Sequence, residues 1–176
     1  MLTDRLFCPD HRFRDVYEID PEWLRGLGVR AVLLDIDNTL VTYDDPEPTE
    51  RALGWLGKLA DCGIKTAFVS NNERERVERF NEKLGYPAEW KAGKPLVRKS
   101  RRAMNALGAS PHETAVIGDQ IFTDIRSGKK LGVALTVLVE PIKDKRTLFF
   151  RFKRLLERPI KYRYEKLREK KHESSQ

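Results

Sequence analysis

The sequence predicts a three-layer α/β domain, a parallel sheet with helices on both faces. Two observations carry this. Apolar runs of strand length, rich in β-branched residues, recur along the chain as strands buried on both faces require. Between them lie stretches of about a dozen residues with apolar side chains at helical spacing. Strands alternating with such helices make right-handed βαβ units, and these build a parallel sheet.

The elements follow in order. Asp20 and Pro21 supply a cap and a first-turn proline, so Glu22 to Leu27 reads as a short helix beneath the sheet. Val29 to Ile36 is the first buried strand. Thr49 to Ala60 spaces Leu53, Leu56 and Leu59 as a helix, and Gly63 stops it. Ile64 to Val69 is the second strand. Glu73 to Leu84 is a helix ended by Gly85, with Asn72 and Glu75 as a capping pair. Ala88 to Trp90 is a short strand, and Pro95 to Leu107 a helix closed by Gly108. Thr114 to Ile117 is a strand, Ile121 to Leu131 a helix and Val133 to Val139 the last strand.

The chain has 176 residues, of which 40% are hydrophobic, enough for a packed core and against a disordered chain. Its longest apolar runs are of the length of Ala31 to Leu34, far short of the roughly 18 residues of a membrane span. Met1 to Asp10 lacks a basic start followed by an apolar stretch, so no secretory signal is expected. Cys8 and Cys62 can form at most one bridge, which suits a reduced, cytoplasmic protein. Cys8 and His11 have ligand-like spacing, but no further zinc ligand is evident.

Charge divides the chain. Residues 145–171 hold twelve Lys or Arg against three Glu, a balance of +9, while the other 149 residues, with 22 basic and 24 acidic side chains, balance to −2. The expected organisation is an N-terminal segment, 1–28, packing on a core domain, 29–140, with a basic arm, 141–176. Leu148, Phe152, Leu155 and Leu156 fall on one helical face of that arm beside Arg151, Lys153 and Arg154. After Pro159, Ile160, Tyr164 and Leu167 repeat the pattern. A basic amphipathic helix reads as peripheral contact with an anionic membrane surface, here the inner face. Two other readings stand beside it: the last helix of the core, or an RNA-binding arm with aromatics among its cations.

In open parallel sheets ligands bind beyond the carboxyl ends of the strands. Those ends carry Asp35, Asp37 and Thr39; Ser70, Asn71 and Asn72; and Gly118 and Asp119, with Asp124 five residues later. Lys94 lies in the loop before the third long helix. Carboxylates converging on one edge repel unless a cation joins them or some are protonated. Hard oxygen ligands with open positions suit Mg²⁺. Each piece alone has a structural reading, as a cap, a turn or a surface lysine. Four such pieces in order at strand ends point instead to one site.

These segments resemble the four signature motifs of the haloacid dehalogenase (HAD) superfamily: Asp35 to Leu40, Ser70, Lys94, and Gly118 to Asp124 in the GDxxxxD form. The strings KAGKP at 91–95 and GDQIFTDI at 118–125 further resemble the bacterial YqeG-like group of subfamily IIIA, related to mitochondrial phosphatidylglycerophosphate phosphatases. The resemblance implies a Rossmannoid HAD-like fold and a Mg²⁺-dependent phosphatase. It implies Asp35 as nucleophile and Asp37 as general acid and then base. Ser70 and Lys94, with Thr39 and Asn71, would hold the phosphoryl oxygens. The metal would be held by Asp35, Asp119 and the Asp37 backbone carbonyl, with Asp124 supporting its shell or orienting Lys94.

From Asp35 to Ser70 is 35 residues and from Ser70 to Lys94 is 24, each largely spent on a strand and a helix. Neither gap holds a cap domain, since ~50 residues is near the lower limit for a domain. Only the acidic, Pro-containing flap Val41 to Pro48 remains, which leaves the site open to large substrates. The implied substrate is a phosphomonoester, with phosphatidylglycerophosphate as the candidate. The alternatives are a phosphatase of a protein or nucleotide, and a HAD scaffold that binds RNA or a GTPase.

Overall fold

The computed structural model describes residues 6–143, 159–160 and 162–164. Six parallel strands form one sheet: β1 (His11–Phe13), β2 (Ala31–Leu34), β3 (Lys65–Val69), β4 (Ala88–Glu89), β5 (Thr114–Gly118) and β6 (Leu135–Val139), in the order β1-β6-β5-β2-β3-β4. The helices are α1 (Pro21–Gly26), α2 (Glu50–Asp61), α3 (Arg74–Asn81), α4 (Arg98–Ala106) and α5 (Arg126–Leu131). A π-helical turn, Ile121–Ile125, leads into α5.

The period of two along each strand divides the core between the two faces. Val32, Leu34 and Phe68 join Leu24 of α1, Leu56 and Leu59 of α2, and Val77 and Phe80 of α3. Ala31, Leu33, Ala67 and Val69 face the other way, onto Ala103 and Met104 of α4 and Leu131 of α5. The central strands β2, β5 and β6 are buried throughout because they have a helix layer on both sides.

Several elements are shorter than the sequence suggests. β2 ends at Leu34, not Ile36, because the chain turns there: the Leu40 and Val41 amides both donate to the Ile36 carbonyl, at 2.9 and 3.3 Å. That turn lets Asp35 and Asp37 be buried on one sheet edge where an extended strand would send them to opposite faces. α4 begins at Arg98 because residues 93–96 form a turn, closed by the Leu96 amide on the Gly93 carbonyl at 2.9 Å. α3 begins at Arg74 with Glu73 as N-cap and no side-chain cap bond; the Asn72 Oδ1 accepts from the Glu73 amide at 2.8 Å, one residue short of the helix, so the expected pairing of Asn72 with Glu75 does not form.

The strand β1 is an addition to the expected set. It is only three residues long, half-buried and charged at Arg12, so it carries no apolar run. Asp10 anchors it. Its carboxylate accepts from the Thr136 amide (2.8 Å), the Thr136 hydroxyl (2.7 Å) and Lys129 Nζ (2.5 Å). Burial pushes the Asp10 pKa up, but the Lys129 and Thr136 bonds outweigh it and leave it below the ordinary 3.8. Its stabilising contribution is therefore present above that value and lost as pH falls below it. Asp10→Ala is expected to cost about 2 kcal/mol at pH 7, three bonds discounted for partial exposure. In urea unfolding, the gap from wild type should close below pH 4; a gap independent of pH would refute this reading of the anchor.

Of the basic arm, residues 141–143, which are not helical, and residues 159–160 and 162–164, which are, are described. Ile160 packs against Ile121, Ile125 and Leu138, and Tyr164 is buried. This stretch therefore packs on the core, as the core-helix reading of the arm expects. Leu148, Phe152, Leu155, Leu156 and Leu167 lie outside the described residues. Among the described residues, no helix is long and apolar enough to cross a membrane.

Candidate active site

Four segments bring their functional groups to the carboxyl edge of β2, β3 and β5. Asp35 and Asp37 leave β2, Ser70 follows β3, Asp119 follows β5, and Asp124 is held on the π-helical turn. Carboxylate oxygens of Asp35, Asp119 and Asp124 all lie within 4.8 Å of one another, and all three residues are buried. Gly118 makes this approach possible. A Cβ there would sit 2.4 to 2.6 Å from three atoms of the Asp124 side chain, so any larger residue displaces that carboxylate.

Lys94 closes the cluster. Its ammonium lies 2.6 Å from Asp35 Oδ1, 2.6 Å from Asp124 Oδ1 and 2.6 Å from the Val69 carbonyl oxygen. Burial disfavours the ammonium, but Asp124 and Asp35 together outweigh it and raise the lysine pKa. Burial pushes Asp35 up to about 7 against the pull of Lys94, and Asp124 adds repulsion. Asp119 is raised well above its ordinary value by burial and then by Asp35 and Asp124. Burial is the main cause of the upward shifts of Asp35 and Asp119, and repulsion among the carboxylates adds to it. With all three carboxylates ionised, the one ammonium of Lys94 would leave two negative charges in a buried space. A divalent, oxygen-seeking cation such as Mg²⁺ fits both that charge and the all-carboxylate donors.

The remaining expected residues take different places. The Thr39 hydroxyl donates to Asp35 Oδ2 at 3.4 Å. Ser70 is buried, and its Oγ accepts from the Asn72 amide at 3.0 Å. Asn71 grips the Lys94 backbone: its Oδ1 accepts from the Lys94 amide at 2.8 Å, and its Nδ2 donates to the Lys94 carbonyl at 3.5 Å. It thus shapes the loop that presents Lys94. The Asp37 carboxylate stands apart from the cluster of three. Arg76 donates to its Oδ1 from Nη2 (2.9 Å) and Nε (3.1 Å), and Asn72 Nδ2 donates to its Oδ2 at 3.1 Å.

The roles of three residues of the site were not foreseen. Asn72 carried a helix-cap pattern and Arg76 a surface-helix pattern, and both turn to Asp37. Tyr43, on the flap, has its phenol pKa raised by burial and then by Asp35, Asp119, Asp37 and Asp124. Only its place next to the Asp35–Leu40 motif could have signalled it.

The family model for haloacid dehalogenase-like hydrolases matches residues 17–132. The chain is 36% identical over 159 residues to the "Probable phosphatase YqeG" of Bacillus subtilis (strain 168), covering 90% of this chain and 92% of that protein. Two solved structures share the fold at lower identity. A protein of Listeria monocytogenes serotype 4b, described as uncharacterized, aligns with a TM-score of 0.53 at 18% identity, over 68% of this chain and 85% of that one. The cobalt-bound deoxy-D-mannose-octulosonate 8-phosphate phosphatase of Haemophilus influenzae aligns with a TM-score of 0.50 at 20% identity, over 62% and 68%.

Proposed function

The chain belongs to the haloacid dehalogenase-like hydrolases, and on that premise we propose that it hydrolyses phosphomonoesters with Mg²⁺ through a phospho-Asp35 intermediate. The observation that carries this is the Asp35 carboxylate, buried between Lys94, Asp124 and Asp119 with Asp37 two residues on.

In this reading an Asp35 oxygen attacks phosphorus and an aspartyl-phosphate forms. Asp37 gives a proton to the departing alkoxide, then takes one from the water that cleaves the aspartyl-phosphate. Lys94 and Ser70 bind the non-bridging oxygens, and Thr39 orients Asp35. Asp35 and Asp119, with Asp124 and the Asp37 carbonyl, would hold the metal. When bound, it neutralises phosphoryl charge and raises the electrophilicity of phosphorus. A proton donor at position 37 favours ester hydrolysis, since a departing halide needs no proton.

The open site and the family likeness support one substrate class. Among the described residues, no added domain lies between β2 and Lys94 to enclose a small sugar phosphate. We infer phosphatidylglycerophosphate as substrate, with phosphatidylglycerol as product. The test is phosphate release from an aryl phosphate with Mg²⁺, with excess EDTA and with Ca²⁺, then from phosphatidylglycerophosphate in mixed micelles. Activity should vanish in EDTA and return with Mg²⁺ but not Ca²⁺, whose longer, looser coordination misplaces the attacking carboxylate. Full activity in EDTA would remove the metal from the reaction. Release from the aryl ester but never from the lipid would leave the phosphatase and remove the substrate.

A further inference from the structure

The Arg76 side chain makes more contacts than an ion pair requires. While Nη2 and Nε hold Asp37 Oδ1, Nη1 donates to the Pro46 carbonyl at 2.9 Å and Nη2 also reaches the Thr42 carbonyl at 3.4 Å. Thr42 and Pro46 stand at the two ends of the turn that carries Tyr43. Asp45 closes that turn from within, accepting from the Thr42 amide (2.9 Å) and hydroxyl (2.7 Å). The guanidinium is only 15% exposed and lies 5.7 Å over the Phe80 ring, so it is braced by the rigid helix α3. Asn72 holds the other oxygen of Asp37.

We propose that Arg76 is a positioning residue for the phosphatase reaction: one guanidinium clamps the 42–46 flap to α3 and fixes the direction in which Asp37 gives and takes its proton. The proposal rests on the phospho-Asp35 reading. A carboxylate with one oxygen held by Arg76 and the other by Asn72 does not rotate freely. With Oδ1 taken by two N–H groups of Arg76 and Oδ2 by one of Asn72, the acceptor capacity left is on Oδ2, and the flap lies beside it. Geometry of this kind matters because proton transfer needs donor and acceptor at hydrogen-bond distance.

In the first step the Asp35–phosphorus bond forms, the ester oxygen–phosphorus bond breaks, and the Asp37 proton goes to the ester oxygen. In the second a water oxygen–phosphorus bond forms, the Asp35–phosphorus bond breaks, and a water proton goes to Asp37. A good leaving group needs no proton in the first step but still needs Asp37 in the second. That asymmetry separates positioning from general structural support.

The experiment compares wild type, Arg76→Ala and Arg76→Lys on p-nitrophenyl phosphate and glycerol 3-phosphate with Mg²⁺. For Arg76→Ala, kcat/KM on glycerol 3-phosphate should fall at least ~10-fold, while on p-nitrophenyl phosphate it should stay within ~3-fold. Its kcat on p-nitrophenyl phosphate should fall, with a burst of nitrophenol equal to the enzyme present. Arg76→Lys should show the same imbalance, smaller, because one ammonium cannot span Asp37 and both flap carbonyls. Equal losses in kcat/KM on both substrates, or none, overturn the proposal. If circular dichroism shows Arg76→Ala unfolded, the same ratio in Arg76→Lys decides. A wild type inactive on both esters would instead refute the phosphatase reading.

Discussion

Asp35→Asn is expected to lower phosphate release at least ~10⁴-fold, the scale of losing a nucleophile. The amide keeps the shape of the side chain but carries no anionic oxygen to attack phosphorus. The fold should survive. Lys94 keeps Asp124 and the Val69 carbonyl, and burial already disfavours the Asp35 charge that the change removes. The melting temperature should therefore hold or rise. Release above ~1% of wild type would mean another group attacks.

Lys94→Met should have the largest effect on stability. The substitution keeps an unbranched side chain of similar volume and deletes the one ammonium between three buried carboxylates. Removing one partner of a buried ion pair costs ~3–5 kcal/mol. For a domain of this size that lowers the melting temperature by roughly 6–20 °C. Activity should fall with it. Added Mg²⁺ should recover part of the lost melting temperature and none of the activity, since the metal offsets charge but does not replace the contact of Lys94 with the phosphoryl group. A melting temperature unchanged without metal would show that Lys94 does not neutralise the cluster.

Asp35, Asp37 and Asp119 were legible because they sit where an apolar strand run stops, and Asp124 because it follows Asp119 at the motif's spacing. Asp35 follows Leu34 by one residue and Asp119 follows Gly118, so locating the strand locates the carboxylate. Arg76 was not legible for the opposite reason. Its partner is set by the tertiary fold, which brings Arg76 of α3 to Asp37, a fact with no trace in RERVERF. Asn72 misled because a cap pattern and a site residue look the same until the side chain is seen on Asp37. β1 was hidden because its hold is polar, through Asp10 on Thr136, where hydrophobic periodicity has nothing to report.

That pairing also sets an order of events during synthesis. Asp10 and Thr136 are 126 residues apart. At ~5–20 residues per second, roughly 6–25 s pass between the emergence of the first and the arrival of the second. Within that interval β2, β3 and β5 are made in turn, and once β5 is complete at Gly118 they can assemble while residues 11–13 still have no β6 to pair with. The first strand of the chain is the last to join the sheet. A chain released after residue 134 should leave its N-terminal segment free to proteases, since β1 then has no β6 to pair with.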